Sequence, residues 1–328
     1  MPGAVMSLHR LMPFRGYEVI TALVRPFFAT RDFSTVGVAT LAWALRALAG
    51  SVMFPIAVGD LVNSLSGNVR SIPVTTWTLL VASLCINVAT EWAFLPYWKL
   101  FTRKISDIRR ALAVSVSEVG TEDQGDLVGK VASDVDFVMW NTAGAIATIL
   151  PNFFNAALGI VTIANSSLLM AGVAALLVPP YLVIVQNYSR KVLLIRMQER
   201  RMYSRTIKLS NEIITKGLHD AESFNDTLES WNKAMYSQAY MDRIYWTYAL
   251  LIMSAAPIVL IVVGASLVQS ELLRVGNLVT IVLAANNLYG PLANMFSGFA
   301  LLSQAVSPAK RIEESFGKFS AEKVQSLS

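Results

Sequence analysis

The hydrophobic positions of the chain gather into six long runs, at roughly residues 35–58, 76–98, 141–164, 167–188, 245–269 and 277–302. Each is long enough to cross a bilayer as a helix, which takes about 20 residues. Only Asn165 and Ser166 separate the third run from the fourth, whereas residues 99–140 and 189–244 separate the second from the third and the fourth from the fifth. Short and long connections therefore alternate between the two sides of a membrane. Within the longest connection, Ser189 to Ile244, the residues Phe224, Leu228, Trp231 and Met235 recur at i, i+4, i+7 and i+11. That beat gives a helix one apolar stripe, to be pressed either against a partner or against its own loop.

The pattern predicts an all-α membrane protein with six transmembrane helices and long helical extensions on one side. If each long connection is two helices joined at a tip, each helix continues its span by about 30 Å at 1.5 Å per residue. The candidate tips lie near Val119 to Gln124 and near Asp220 to Glu229.

Charge sets the sidedness. Of the 27 Lys and Arg residues, the short connections hold only Arg70 and Arg274, and Arg46 lies inside the first span; the rest occupy the termini and the two long connections. The positive-inside rule makes those segments cytoplasmic, and with them both termini. The net charge of +5 is thus a topology signal, and nucleic-acid binding is not needed to explain it. Residues 1–33 form a cytoplasmic segment in which Pro13 to Phe33 reads as an interfacial elbow helix, with Ile20, Leu23, Phe27 and Phe28 set among arginines. No secretory leader is expected there. Residues 34–315 form the membrane domain and 316–328 a cytoplasmic tail. The single cysteine, Cys85, excludes an intrachain disulfide.

Polar groups inside the spans are candidates for a substrate pathway. Arg46 and Glu91 fall at comparable depth, and such groups face protein or water. They make either a mutual salt bridge between two adjacent spans or a substrate or proton site. Asn87 precedes Glu91 by one turn. Asn287, Pro291 and Asn294 share one face of the sixth span, where amides either line a cavity or bind helices together. Pro179 and Pro180 are expected to bend the fourth span. Asp134 and Asp136 are two apart in a helix, so their carboxylates diverge and make no acid/base dyad. No enzyme site is expected, and His9 and His219 are isolated.

The run from Gly125 to Asp136, Gly-Asp-Leu-Val-Gly-Lys-Val-Ala-Ser-Asp-Val-Asp, resembles the segment that follows the first coupling helix in the membrane domain of ABC exporters. Glu212, Gly217 and Phe224 resemble the approach to that family's second coupling helix. Arg274 to Val279 resembles the start of its sixth span; Pro291-Leu292 and Ala309 to Glu313 resemble the end of that span and the exit from the domain. The resemblance covers about residues 30–315. Val119 and Gln124 depart from the family pattern at the first tip.

The resemblance implies a six-span domain of ABC-exporter type that works with a second membrane half, as a homodimer or heterodimer. It further implies coupling to the ATPase through Val119, Glu122, Asp123, Gly125 and Asp126 at the first tip and through Glu222, Phe224, Asn225 and Trp231 at the second. No GxxxxGK[ST] phosphate loop occurs in the 328 residues. ATP and Mg are therefore expected on a separate ABC ATPase subunit, with no cofactor in this chain. The substrate pathway would comprise Arg46, Asn87, Glu91, Asn287 and Asn294, and its thin, mostly neutral lining suits an apolar or amphipathic cargo. Two further functions remain open: a proton-driven transporter with an exporter-like membrane domain, in which Glu91 carries the proton, and a membrane scaffold or regulator without flux.

Overall fold

The computed structural model describes residues 33–67, 72–119, 133–180 and 221–316, with scattered positions between 183 and 214. The elbow segment up to residue 32, the first tip at 120–132 and the tail from residue 317 lie outside them. The described residues are helical apart from short turns, with no strand among them.

The helices are α1 (Phe33–Leu48), α2 (Phe54–Ser66), α3 (Val74–Trp92), α4 (Phe94–Val119), α5 (Val135–Ser166), α6 (Leu168–Leu176), α7 (Ala221–Gln269) and α8 (Val275–Phe316). Among the described residues, four stretches are long and apolar enough to cross a membrane: Ser34–Ser66, Val74–Arg110, Val135–Ser166 and Glu222–Gln269. The expected fourth run is a shorter apolar helix, Leu168–Pro180, in its described part. The expected sixth run lies on α8, whose Asn277, Asn286, Asn287 and Asn294 dilute its apolar character.

Two compact units divide the chain, residues 1–174 with 257–328 and residues 175–256. In the first, α8 runs along α5 in an antiparallel register that small residues make possible. A Cβ on Gly159 would stand 3.0 Å from the Ala284 carbonyl oxygen, and one on Gly298 would stand 2.6 Å from the Ile149 side chain. Towards the long-connection end, Trp43, Tyr97, Phe101, Ile105, Met139, Ala305 and Ile312 close a core between α1, α4, α5 and α8. The Tyr97 hydroxyl donates to the Ala143 carbonyl at 2.7 Å, which gives a buried phenol its hydrogen bond.

The first span is not one uninterrupted α-helix. Between α1 and α2 the backbone makes a π turn over Ala49–Met53. Pro55 supplies the physical reason: it has no N–H, so it cannot close the ladder onto the carbonyls one turn back. The freed carbonyls find other donors. Thr162 donates to Ser51 O at 2.8 Å and Asn287 to Gly50 O at 3.1 Å, as lipid-embedded backbone requires.

The connections differ from the expected boundaries. The connection between the first and second runs, expected to begin after residue 58, begins only after Ser66, because Asn63 anchors the last turns of α2 to the start of α8. Its amide oxygen accepts from the Gly276 N–H at 2.8 Å, and its Nδ2 donates to Asn277 at 3.3 Å. The turn between the third and fourth runs sits at Ser167, whose extended backbone ends α5 and whose Oγ accepts from the Met170 N–H. Helix α7 ends with Glu271 at φ 60°, while Leu272 N–H bonds to Leu267 O and Glu271 N–H to Val268 O. This is a Schellman closure with glutamate where glycine is preferred.

The helical extensions are long, as the sequence predicts. Helix α4 carries on from the second apolar run to Val119, and α7 starts at Ala221, well before the fifth run. Each extension is about 30 Å or more at 1.5 Å per residue.

Candidate functional site

Arg46, in the last turn of α1, and Glu91, in the last turn of α3, each within a longer apolar stretch, form an ion pair through Nη1 and Oε2. The mutual salt bridge is the arrangement present. The guanidinium also lies 5.9 Å from the Phe94 ring centroid, so it is held on one side by a carboxylate and on another by an aromatic face. Both side chains remain open, with 44% and 65% of their surfaces exposed. Glu91 is flanked by Val88 and Trp92 on α3 and by Leu95 on α4, all exposed. An exposed ion pair at this depth is too costly to face hydrocarbon, so its open side belongs against water or protein. Asn87 is turned inward along its own helix and donates to Ser83 O at 2.9 Å.

The predicted amides of the sixth span part company. Asn287 binds helices together through its bond to Gly50 O. Asn294 is exposed. Also exposed are Asn286 and Ser297, which with Gly290 and Asn294 fall at i, i+4, i+8 and i+11 along α8. This polar stripe has no lipid-like character. Asn286 was not among the expected residues; it lies one position from Asn287, about 100° around the helix and off the face that Asn287 and Asn294 share.

The register of α8 against α5 brings further polar groups to one level. Gly159 opposes Ala284 and Asn287, Ile149 opposes Gly298, and Leu301 reaches Gly144; Asn152 therefore stands level with Asn294. A second node lies towards the short-connection end of Asn152, where Ser51 Oγ donates to Asn155 Oδ1 at 3.0 Å beside the Thr162 and Asn287 bonds. Asn155 and Thr162 were missed; Pro55 in the middle of a span was the available signal, since it leaves carbonyls that need donors.

The expected first tip falls mostly outside the described residues: Glu122, Asp123, Gly125 and Asp126 all do, and Val119 is described only as the last residue of α4. Asp136, from the same motif, pairs with Arg109 at 2.7 Å and ties α5 to α4.

The second tip is described from Ala221. Phe224, Leu228 and Trp231 are half-buried by the chain itself and Thr227 is buried, whereas Glu222, Asn225, Asp226 and Glu229 are exposed. The apolar stripe is thus partly covered, apart from the exposed Met235, and the exposed residues at the tip itself are polar. Lys233 pairs with Glu229 at 2.8 Å along the helix.

Further along α7, Tyr188 stacks on Tyr245 with ring centroids 4.1 Å apart and donates its hydroxyl to Asp242.

Among the described residues no group of three His, Cys, Asp or Glu side chains is placed to hold a metal ion. No known protein family matches the sequence, and no curated protein does. What the geometry offers is an exposed ion pair and an exposed polar stripe within apolar helices, together with two long helices, α4 and α7, that continue apolar runs.

Proposed function

We propose that the chain is the membrane-spanning translocation subunit of an ATP-driven transporter of ABC-exporter type. In this reading it has six spans, cytoplasmic termini and a second membrane half beside it, and ATP is hydrolysed on a partner subunit. The observation that carries the reading is the pair of long helices, α4 to Val119 and α7 from Ala221, that extend apolar spans by about 30 Å or more. A continuous helix transmits displacement along its axis, so a motor that moves the tips moves the spans. The spans would then shift between two packed states that expose a polar path to either side.

Asn286, Asn294 and Ser297, with the open side of Arg46–Glu91, suit that path because they are polar groups left exposed at membrane depth. Their sparse, mostly neutral character favours an apolar or amphipathic cargo. Contact with the motor at the second tip falls to the exposed Glu222 and Asn225, with Phe224 and Trp231 holding the arm in shape.

The test is reconstitution. The tagged chain, purified from its native membrane, is expected to bring a P-loop ATPase with it, and reconstituted vesicles are expected to hydrolyse ATP and move cargo only when that ATPase is present. Purification with no ATPase, or flux that a pH gradient drives and Glu91→Gln abolishes, would overturn the reading. The second outcome would favour proton coupling through Glu91.

A further inference from the structure

The unit formed by residues 175–256 holds a small pocket of about 180 Å³ whose lining shares no residue with the proposed transport path. It lies where α7 passes from its charged first half, ending at Asp242 and Arg243, into its apolar second half. Tyr188, Tyr245 and Tyr248 supply three phenol rings to its walls, Ile184 and Met241 supply aliphatic surface, and Asn187 supplies one amide. Among the described residues, no cationic side chain lines it.

The rings are not a scattered interfacial belt. Tyr236 and Tyr240 on the same helix fit that description, being exposed at 73% and 58%. Tyr245 instead is buried at 5% and stacked on Tyr188, with centroids 4.1 Å apart and an angle of 24° between the planes. The Tyr188 hydroxyl donates to Asp242. A phenol that donates to a carboxylate gains electron density, and the negative face of its ring becomes a better seat for a cation. The stack fixes that ring in place, and Tyr248 remains available at the mouth, with half of its surface open.

The geometry points to a binding site for a quaternary ammonium group, with Tyr188, Tyr245 and Tyr248 as the aromatic walls and Asp242 as the counter-charge behind Tyr188. Three observations select this chemistry. An anion meets no positive group among the described lining residues, which are ring, aliphatic carbon and one amide. A hydrogen-bonding ammonium finds few acceptors, because the walls are mostly ring and aliphatic carbon. A methylated ammonium needs no hydrogen bonds; it needs ring faces, a nearby negative charge and a volume of this size. The group would come either from a choline headgroup lipid, since the pocket sits at the polar-to-apolar boundary of α7, or from a free organic cation. The site stands whether or not the chain moves cargo.

The experiment is calorimetric titration of the full chain in a maltoside detergent with choline and with its neutral isostere, in which carbon replaces the quaternary nitrogen. Choline is expected to bind about tenfold more tightly than the isostere, the discrimination that a partly desolvated cation–ring site supplies. Tyr248→Leu, at an exposed position that folding tolerates, is expected to weaken choline about tenfold while Tyr248→Phe, which keeps the ring, retains it. Asp242→Asn is expected to narrow the preference for choline over the isostere. Equal affinities for the two probes overturn the site, as does Tyr248→Leu binding choline as tightly as the parent. Vesicles separate the sources: weaker choline binding in phosphatidylcholine than in phosphatidylethanolamine, which has the same net charge but no quaternary nitrogen, identifies the lipid headgroup, and equal binding in both identifies a free cation.

Discussion

Asn287 donates its side-chain amide to the carbonyl oxygen of Gly50 at 3.1 Å, across 237 positions of sequence. This bond ties the middle of α8 to the π turn that Pro55 imposes on the first span. Leucine at position 287 removes the donor and leaves a carbonyl without it in an apolar setting, so Asn287→Leu is expected to destabilise the protein by about 1 kcal/mol. The neighbouring Asn286 is exposed, and Asn286→Leu is expected to change stability by less than about 0.5 kcal/mol. Unfolding in mixed micelles distinguishes the two; equal effects would remove the Gly50 bond from the account.

Helices α2 and α8 meet closely at glycine. A Cβ on Gly276 would fall 2.0 Å from the Gly59 carbonyl oxygen and 2.5 Å from the Asn63 side chain. Gly276→Ala therefore forces two backbones apart and is expected to cost about 2–3 kcal/mol. At Gly172 a Cβ meets nothing within 4 Å, and Gly172→Ala is expected to stabilise its helix by about 0.5–1 kcal/mol. Thermal denaturation of both variants in one detergent checks the contrast.

The open faces of Arg46 and Glu91 fix the size of their coupling. A pair that meets water is worth about 1 kcal/mol or less, and this is the value expected from a double-mutant cycle with Arg46→Gln and Glu91→Gln. Transport, where it is assayed, is expected to fall in each single variant. A coupling of about 3 kcal/mol or more would mean that the pair is dry and structural, which removes it from any aqueous path.

At the second tip, stability and docking are expected to separate. Phe224→Ala removes a half-buried ring and is expected to cost about 1 kcal/mol. Glu222→Lys and Asn225→Ala change exposed side chains and are expected to leave the melting temperature unchanged while weakening ATPase stimulation in the reconstituted system. If instead they leave stimulation intact and Phe224→Ala alone abolishes it without loss of stability, the apolar stripe is the contact.

Glu271 occupies a left-handed backbone conformation at φ 60°, which costs a residue with a Cβ about 1–2 kcal/mol. Glu271→Gly is expected to raise stability by about 1 kcal/mol, measured by the same denaturation. A loss of stability would show that its carboxylate has a role at the turn.

The sequence by itself determined the helical character, the long extensions and the comparable depth of Arg46 and Glu91, because run length, helical rise and depth are local quantities that survive folding unchanged; that the two side chains pair was decided by the structure. Helical spacing also placed Asn287 and Asn294 near one another on α8. Only the tertiary structure decided what each does. Asn287 meets Gly50 O, whereas Asn294 and Asn286 are left open, because the neighbouring helix covers one side of α8 and the period of a helix does not reveal which side that is. The same holds for Phe224 and Trp231: their spacing announced a stripe, but what covers it depends on how the arm packs within its own unit. The pocket beside Tyr188 was illegible for the corresponding reason, since Tyr188 and Tyr245 are separated by more than fifty positions along the chain and become neighbours only when the two sides of the longest connection fold together.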